Sequence, residues 1–106
     1  MAASIDIKEL KRLLPSGNAP TVLDVRRKED YEASPKKIPG ATWHDPNKID
    51  EWVADLPHGG PTVVYCVKGG SVSQSVAERL RQEGREAAFL EGGIKAWIEQ
   101  GEPVSR

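Results

Sequence analysis

The chain has 106 residues, 38% hydrophobic and 29% charged, which is the balance of one soluble globular domain over residues 1–106 without linker, repeat or low-complexity segment. Fifteen Lys and Arg against sixteen Asp and Glu leave a net charge of −1, so no basic field marks a nucleic-acid binder. No apolar run nears the roughly 20 residues of a membrane span, and Met1 to Lys8 lacks the apolar core of a signal peptide, so the expected location is the cytoplasm.

Ile7, Leu10, Leu13 and Leu14 share one face of a short helix that Pro15 to Asn18 stops. Thr21 to Val25 is a β-branched run between Pro20 and the charged Arg26, Arg27 and Lys28, and reads as a buried strand. Residues 28–33 fit a turn or two of helix, and Ser34 to Pro39 is loop because Pro35 and Pro39 interrupt regular pairing. Ala41 to Trp43 is a short strand ended by Asp45 and Pro46. Ile49, Trp52, Val53 and Leu56 keep the spacing of an amphipathic helix, closed by Pro57, Gly59 and Gly60. Thr62 to Cys66, almost entirely apolar, is the clearest strand. Beyond the loop Lys68-Gly69-Gly70, Val72, Val76 and Leu80 mark a helix running to Gly84. Ala87 to Leu90 is a further strand, and Glu91 to Gly93 turn the chain into a last helix with Ile94, Trp97 and Ile98 on one face and Gly101 past its end. Strands alternating with helices predict an α/β fold with a parallel sheet and helices on both faces.

The one cysteine, Cys66, excludes an internal disulfide, a Cys-x-x-Cys redox pair and a multi-thiolate zinc site. Ligands of open parallel sheets bind beyond the carboxyl ends of the strands, where Cys66 stands. Gly69 and Gly70 let successive backbone N–H groups curl around one point, and Ser71 or Ser73 can cap the helix that follows, turning its positive end to the loop. A thiol in such a nest is favoured as thiolate, and the same amides suit a persulfide anion or an oxyanion. A strand-end cysteine is more often inert filler than nucleophile; the glycine loop and the helix start shift that weighting towards function. Lys68 is either a solvated loop charge or an attractor of anionic substrate two residues from the thiolate. His44 and His58 have no metal-ligand company and read as surface or hydrogen-bonded groups. There is no Ser-His-Asp order, Walker loop or dinucleotide fingerprint.

Four blocks now stand in order: Leu23-Asp24-Val25-Arg26 followed by Tyr31; Ile38-Pro39-Gly40-Ala41; Val63-Val64-Tyr65-Cys66 with the loop through Val72; and Leu90 to Trp97 with Gly101 to Val104. In sequence and separation they resemble the rhodanese (sulfurtransferase) family over nearly the whole chain. The resemblance implies a rhodanese-like three-layer sandwich, a small five-stranded parallel sheet between helices. It also implies a double displacement that needs no metal or organic cofactor. Cys66 thiolate would take the outer sulfur of a small anionic donor such as thiosulfate, and the Cys66 persulfide would pass it to cyanide or a cellular thiol, a thioredoxin-like protein among the candidate partners. On this resemblance Cys66 is catalytic, the loop Val67, Lys68, Gly69, Gly70, Ser71 and Val72 binds substrate, and Asp24 and Arg26 are supporting. Glu29, Asp30 and Glu32 are candidate partners through which Arg26 would fix the neighbouring loop.

Three features depart from the family pattern. Many members carry arginine five residues after the cysteine; here Ser71 stands there, as in some single-domain thiosulfate sulfurtransferases, so oxyanion binding leans on amides and Lys68. Lys36-Lys37 replaces the Gly-His that often precedes the second block. Related phosphatases and arsenate reductases have a loop one residue longer that an arginine closes, and its lack here argues against their chemistry. The second reading is a rhodanese-fold module that docks a partner or senses sulfide or oxidant through Cys66 with little turnover. The donor stays open among thiosulfate, a glutathione persulfide and mercaptopyruvate-derived sulfur. So does the oligomeric state, with Trp43 and Trp52 available for a partner face.

Overall fold

The computed structural model describes residues 3–15, 19–56 and 60–105. Five parallel strands form one sheet: β1 (Ser4–Ile5), β2 (Thr21–Asp24), β3 (Thr42–Trp43), β4 (Thr62–Tyr65) and β5 (Ala87–Leu90). They stand in the order β1-β5-β4-β2-β3. The longer, apolar strands are central, and the two edges are strands of two residues, too short to template pairing with another chain.

Side-chain alternation along the strands assigns the helices to faces. Val22, Val63, Tyr65, Ala88 and Leu90 pack on one face with Ile7 and Leu10 of α1 (Ile7–Leu13) and with Ile94 and Trp97 of α5 (Gly93–Glu99). Leu23, Val64 and Ala87 pack on the other with Val76, Ala77 and Leu80 of α4 (Ser71–Gln82), and with Ile49 and Trp52 of α3 (Ile49–Trp52) at the margin. The result is the expected α/β sandwich of helices, sheet and helices. A short helix α2 (Lys28–Ala33) buries no residue of its own and follows β2. Among the described residues no helix is long and apolar enough to cross a membrane.

Several boundaries differ from the sequence expectation. The sheet ladder of β2 stops at Asp24 and that of β4 at Tyr65, so Cys66 lies one residue beyond its strand. The single helix expected over Ile49 to Leu56 is one α turn, α3, between the 3-10 turns Pro46–Lys48 and Val53–Asp55. Asp45 explains the irregular start: its carboxylate accepts from Asn47 N–H at 2.9 Å, while its carbonyl accepts from Trp52 Nε1 at 2.8 Å. Val53 and Leu56 are nevertheless buried, so the apolar spacing survives although the helical bonding does not. Neither Ser71 nor Ser73 caps α4; the cap is Gly70, with no side-chain bond, because Ser71 is already the first helical residue. His58, Pro57 and Gly59, and the helix-stopping Ser16 to Asn18, lie outside the described residues.

Candidate active site

In the β2–β4 pair Asp24 is level with Tyr65, and Val25 N–H donates to the Tyr65 carbonyl at 2.9 Å. From β2 the chain moves outward to β3, and from β4 it moves the opposite way to β5. The two strands therefore end at the switch point of the sheet, where a crevice opens between the loops that leave them. Cys66 follows one strand and Arg26 and Arg27 follow the other.

The loop after Cys66 is anchored by its carbonyls. Ile94 and Lys95 at the start of α5 donate to the carbonyls of Cys66 and Val67 at 3.0 and 2.9 Å. Gln74 Nε2 donates to the Gly69 carbonyl at 3.0 Å. Gly69 adopts a φ of +72°, and a Cβ there would come within 2.8 Å of Leu90 O and Gly92 N, so the loop rests directly on the backbone after β5. With the carbonyls so used, the N–H groups of residues 67–73 make no hydrogen bond to protein among the described residues.

Cys66 is a free thiol, 6% exposed, on a cavity of about 260 Å³. The walls are Val67, Lys68, Gly70, Ser71 and Val72 on one side and Arg26, Arg27 and Asp30 on the other. Below the mouth, Cys66 Sγ lies 3.1 Å from the hydroxyl of the fully buried Ser73. Among the described residues neither Lys68 nor Arg27 has an ion-pair partner, so two of the three cations around the thiol are uncompensated. A second, larger groove of about 460 Å³ shares Arg26, Asp30 and Val67 with the cavity and runs over Ile94, Lys95 and Ile98.

Arg26 is the compensated cation. Its guanidinium donates to Asp24 through Nε at 3.0 Å and Nη2 at 2.7 Å, correcting the expectation that Glu29, Asp30 or Glu32 would pair with it. The nearer carboxylate is two residues back on the strand, where the backbone holds it in place. Arg26 also donates to the carbonyls of Ser34 and Lys36 at 2.7 and 3.0 Å, and its guanidinium carbon lies 5.4 Å from the centre of the Tyr31 ring. Tyr65 completes the cluster by donating to Asp24 at 3.1 Å and accepting from Ile38 N–H at 3.3 Å. Burial and then the Asp24 charge push the Tyr65 phenol far above its ordinary value.

Of the residues singled out in sequence, Cys66, Val67, Lys68, Gly70, Ser71, Val72 and Arg26 meet at the cavity. Gly69 stands behind the loop and Asp24 is wholly buried beneath it. His44 lies apart, its ring 4.8 Å from that of Trp52, and Trp43 stacks on Tyr31 while donating to the Arg26 carbonyl at 2.9 Å. Sequence reasoning missed Arg27, Asp30 and Ser73. The first two follow a strand whose neighbour carries the cysteine, which becomes evident only when β2 and β4 are paired. Ser73 had a signal, since the third residue of a helix that starts beside the loop returns towards it.

Comparison with known proteins agrees with this architecture. Residues 6–100 match the family described as Rhodanese-like domain. The chain is 30% identical over 98 residues to the thiosulfate sulfurtransferase GlpE of Pseudomonas entomophila, a match covering 86% of this chain and 87% of that protein. It is 30% identical over 103 residues to the probable adenylyltransferase/sulfurtransferase MoeZ of Mycobacterium tuberculosis, covering 95% of this chain but only 26% of MoeZ, so the chain spans about a quarter of that protein. A rhodanese-related protein of Thermoplasma volcanium has a similar structure, with a TM-score of 0.84 and 30% identity over 98% of both chains.

Proposed function

This chain belongs to the rhodanese-like domain family, and on that premise we propose that it is a sulfurtransferase that carries sulfane sulfur as a Cys66 persulfide from thiosulfate to cyanide or a cellular thiol. The observation that carries the reading is the meeting, on one cavity, of a free thiol, a run of backbone amides and the cations Lys68 and Arg27, the amides and both cations without partners among the described residues. A cavity of about 260 Å³ lies below the usual range of organic-ligand pockets and suits a small anion.

In the first half-reaction Cys66 thiolate attacks the outer sulfur of thiosulfate. A Cys66–sulfur bond forms, the sulfur–sulfur bond to the sulfonate breaks, and its electron pair leaves with sulfite. Lys68 and Arg27 attract the dianion, and the loop amides donate to the negative charge that settles on the outer sulfur. In the second half-reaction cyanide or a thiolate attacks that outer sulfur, and the electron pair of the breaking bond returns to Cys66.

The test is intact-mass measurement after incubation with thiosulfate. Wild type gains one sulfur, loses it to cyanide with formation of thiocyanate, and Cys66→Ser gains none. A wild type that never gains sulfur, or a Cys66→Ser protein that gains as much, overturns the proposal in favour of a docking or sensing module.

A further inference from the structure

Ser73 lies outside the loop to which catalysis is assigned, yet its hydroxyl is within hydrogen-bond distance of the reacting sulfur, at 3.1 Å. It is fully buried, so water does not compete for it. Its proton has two acceptors within reach: the Gly70 carbonyl at 3.4 Å, and Cys66 Sγ at 3.1 Å once that sulfur has lost its own proton. The Gly70 bond is long and easily surrendered. The carbonyl also accepts from Gln74 N–H at 3.2 Å, so it is not stranded when the hydroxyl turns away.

We propose that Ser73 is a second catalytic group, a single O–H that swings from the Gly70 carbonyl to Cys66 Sγ whenever that sulfur is charged. In the resting thiol, S–H points at the Ser73 oxygen and the hydroxyl points at Gly70. When the thiol proton leaves to water at the cavity mouth, the hydroxyl rotates and donates to the thiolate. A bond from a buried donor to an ionised sulfur is stronger than the neutral one it replaces.

The same motion extends through the sulfur-transfer cycle, and this part rests on the function proposed above. Once the persulfide forms, charge sits on the outer sulfur, Sγ is neutral, and the hydroxyl returns to Gly70. When an acceptor takes the outer sulfur, the electron pair of the broken bond goes to Sγ, and Ser73 donates to that growing charge. Ser73 thus serves Cys66 as nucleophile and again as leaving group, while the loop amides serve the persulfide in between.

The test separates the two parts. The rate of Cys66 alkylation by iodoacetamide, which needs no sulfur donor, is measured against pH for wild type, Ser73→Ala and Ser73→Thr. Thermal unfolding confirms that each is folded. The profile of Ser73→Ala is expected to move up by about one pH unit, a roughly tenfold lower rate along its rising limb, with its high-pH plateau kept. Ser73→Thr, which keeps the hydroxyl, returns the profile towards wild type. Preloaded persulfide is then discharged with cyanide, about tenfold more slowly in Ser73→Ala. A Ser73→Ala profile that stays in place, or one that loses plateau without moving, overturns the hydroxyl switch. A moved profile in a protein that takes no sulfur from any donor upholds the switch and overturns the sulfur-transfer function instead.

Discussion

The Tyr65 hydroxyl donates to Asp24 Oδ2 at 3.1 Å between residues that sit level with each other on neighbouring parallel strands. The bond crosses from the strand that leads to the thiol to the strand that leads to the two arginines. Through Asp24 it reaches Arg26, and through Arg26 the carbonyls of Ser34 and Lys36. One buried polar chain therefore fixes both walls of the cavity relative to the sheet.

Removing the carboxylate from that chain strands a buried guanidinium. Asp24→Ala is expected to destabilise the fold by about 3–5 kcal/mol, the usual cost of breaking a buried pair from one side. Asp24→Ala with Arg26→Ala should cost less than the sum of the two single changes, because the second removes the orphaned charge. Urea unfolding of the three variants measures this. Additive costs would show that the pair is not coupled.

The phenol gives the fold a dependence on alkaline pH. Tyr65 is held protonated in the folded state well above the value near 10 of an unfolded tyrosine. Above that pH the unfolded chain binds fewer protons at this residue than the folded one, so stability falls as pH rises, by about 1.4 kcal/mol per pH unit at most. Below it the contribution is fully present. Urea midpoints followed from pH 8 to pH 11 should fall more steeply for wild type than for Tyr65→Phe, which has no such proton to lose. Parallel slopes would remove Tyr65 as the cause.

Much of this is legible in the amino-acid sequence. The apolar runs at Thr21 to Val25 and Thr62 to Cys66 name β2 and β4, each one residue too long, and a thiol at the end of the second falls at the ligand-binding edge of a parallel sheet. What escaped has physical causes. Strand β1 is only Ser4 and Ile5, too short to show alternation. Sequence order points Arg26 towards the acidic helix that follows, whereas the strand geometry offers the nearer carboxylate of Asp24. Arg27 read as part of a charged run because nothing in one dimension places the end of β2 beside the end of β4.

Arg27 bears on the missing loop arginine at Ser71. Both residues line the cavity, and both also line the adjoining hollow formed with Pro46, Asn47 and Ser75. Arg27 thus supplies a guanidinium close to where Ser71 supplies none. Arg27→Ala is expected to lower kcat/KM for thiosulfate about tenfold, an effect that shrinks with added salt, as two charges in a partly exposed site interact. Alkylation of Cys66 by iodoacetamide, which carries no charge for Arg27 to attract, should change less than thiosulfate turnover. Adding Ser71→Arg to Arg27→Ala should recover much of the loss. A double variant no better than Arg27→Ala alone would show that the two positions do not serve the same anion.

Gly93 sets the height of the cysteine loop. Its φ is +61°, and a Cβ there would approach the carbonyl oxygens of Cys66 and Val67 to 2.5 Å, the same oxygens that Ile94 and Lys95 hold from α5. Relief of that clash requires the loop and the helix to separate, which breaks the two bonds and shifts the amides around the sulfur. Gly93→Ala should therefore cost roughly 1–3 kcal/mol in stability from backbone strain and lower sulfur loading out of proportion, since a shift near 1 Å at a reacting centre can cost about a hundredfold. Gly101→Ala is the control: its φ is +74° but no atom lies within 4 Å of the added carbon, so it brings strain without touching the loop. Thermal unfolding and thiosulfate loading on the two variants decide the matter. Equal loading by both at equal loss of stability would mean that α5 supports the fold without positioning the thiol.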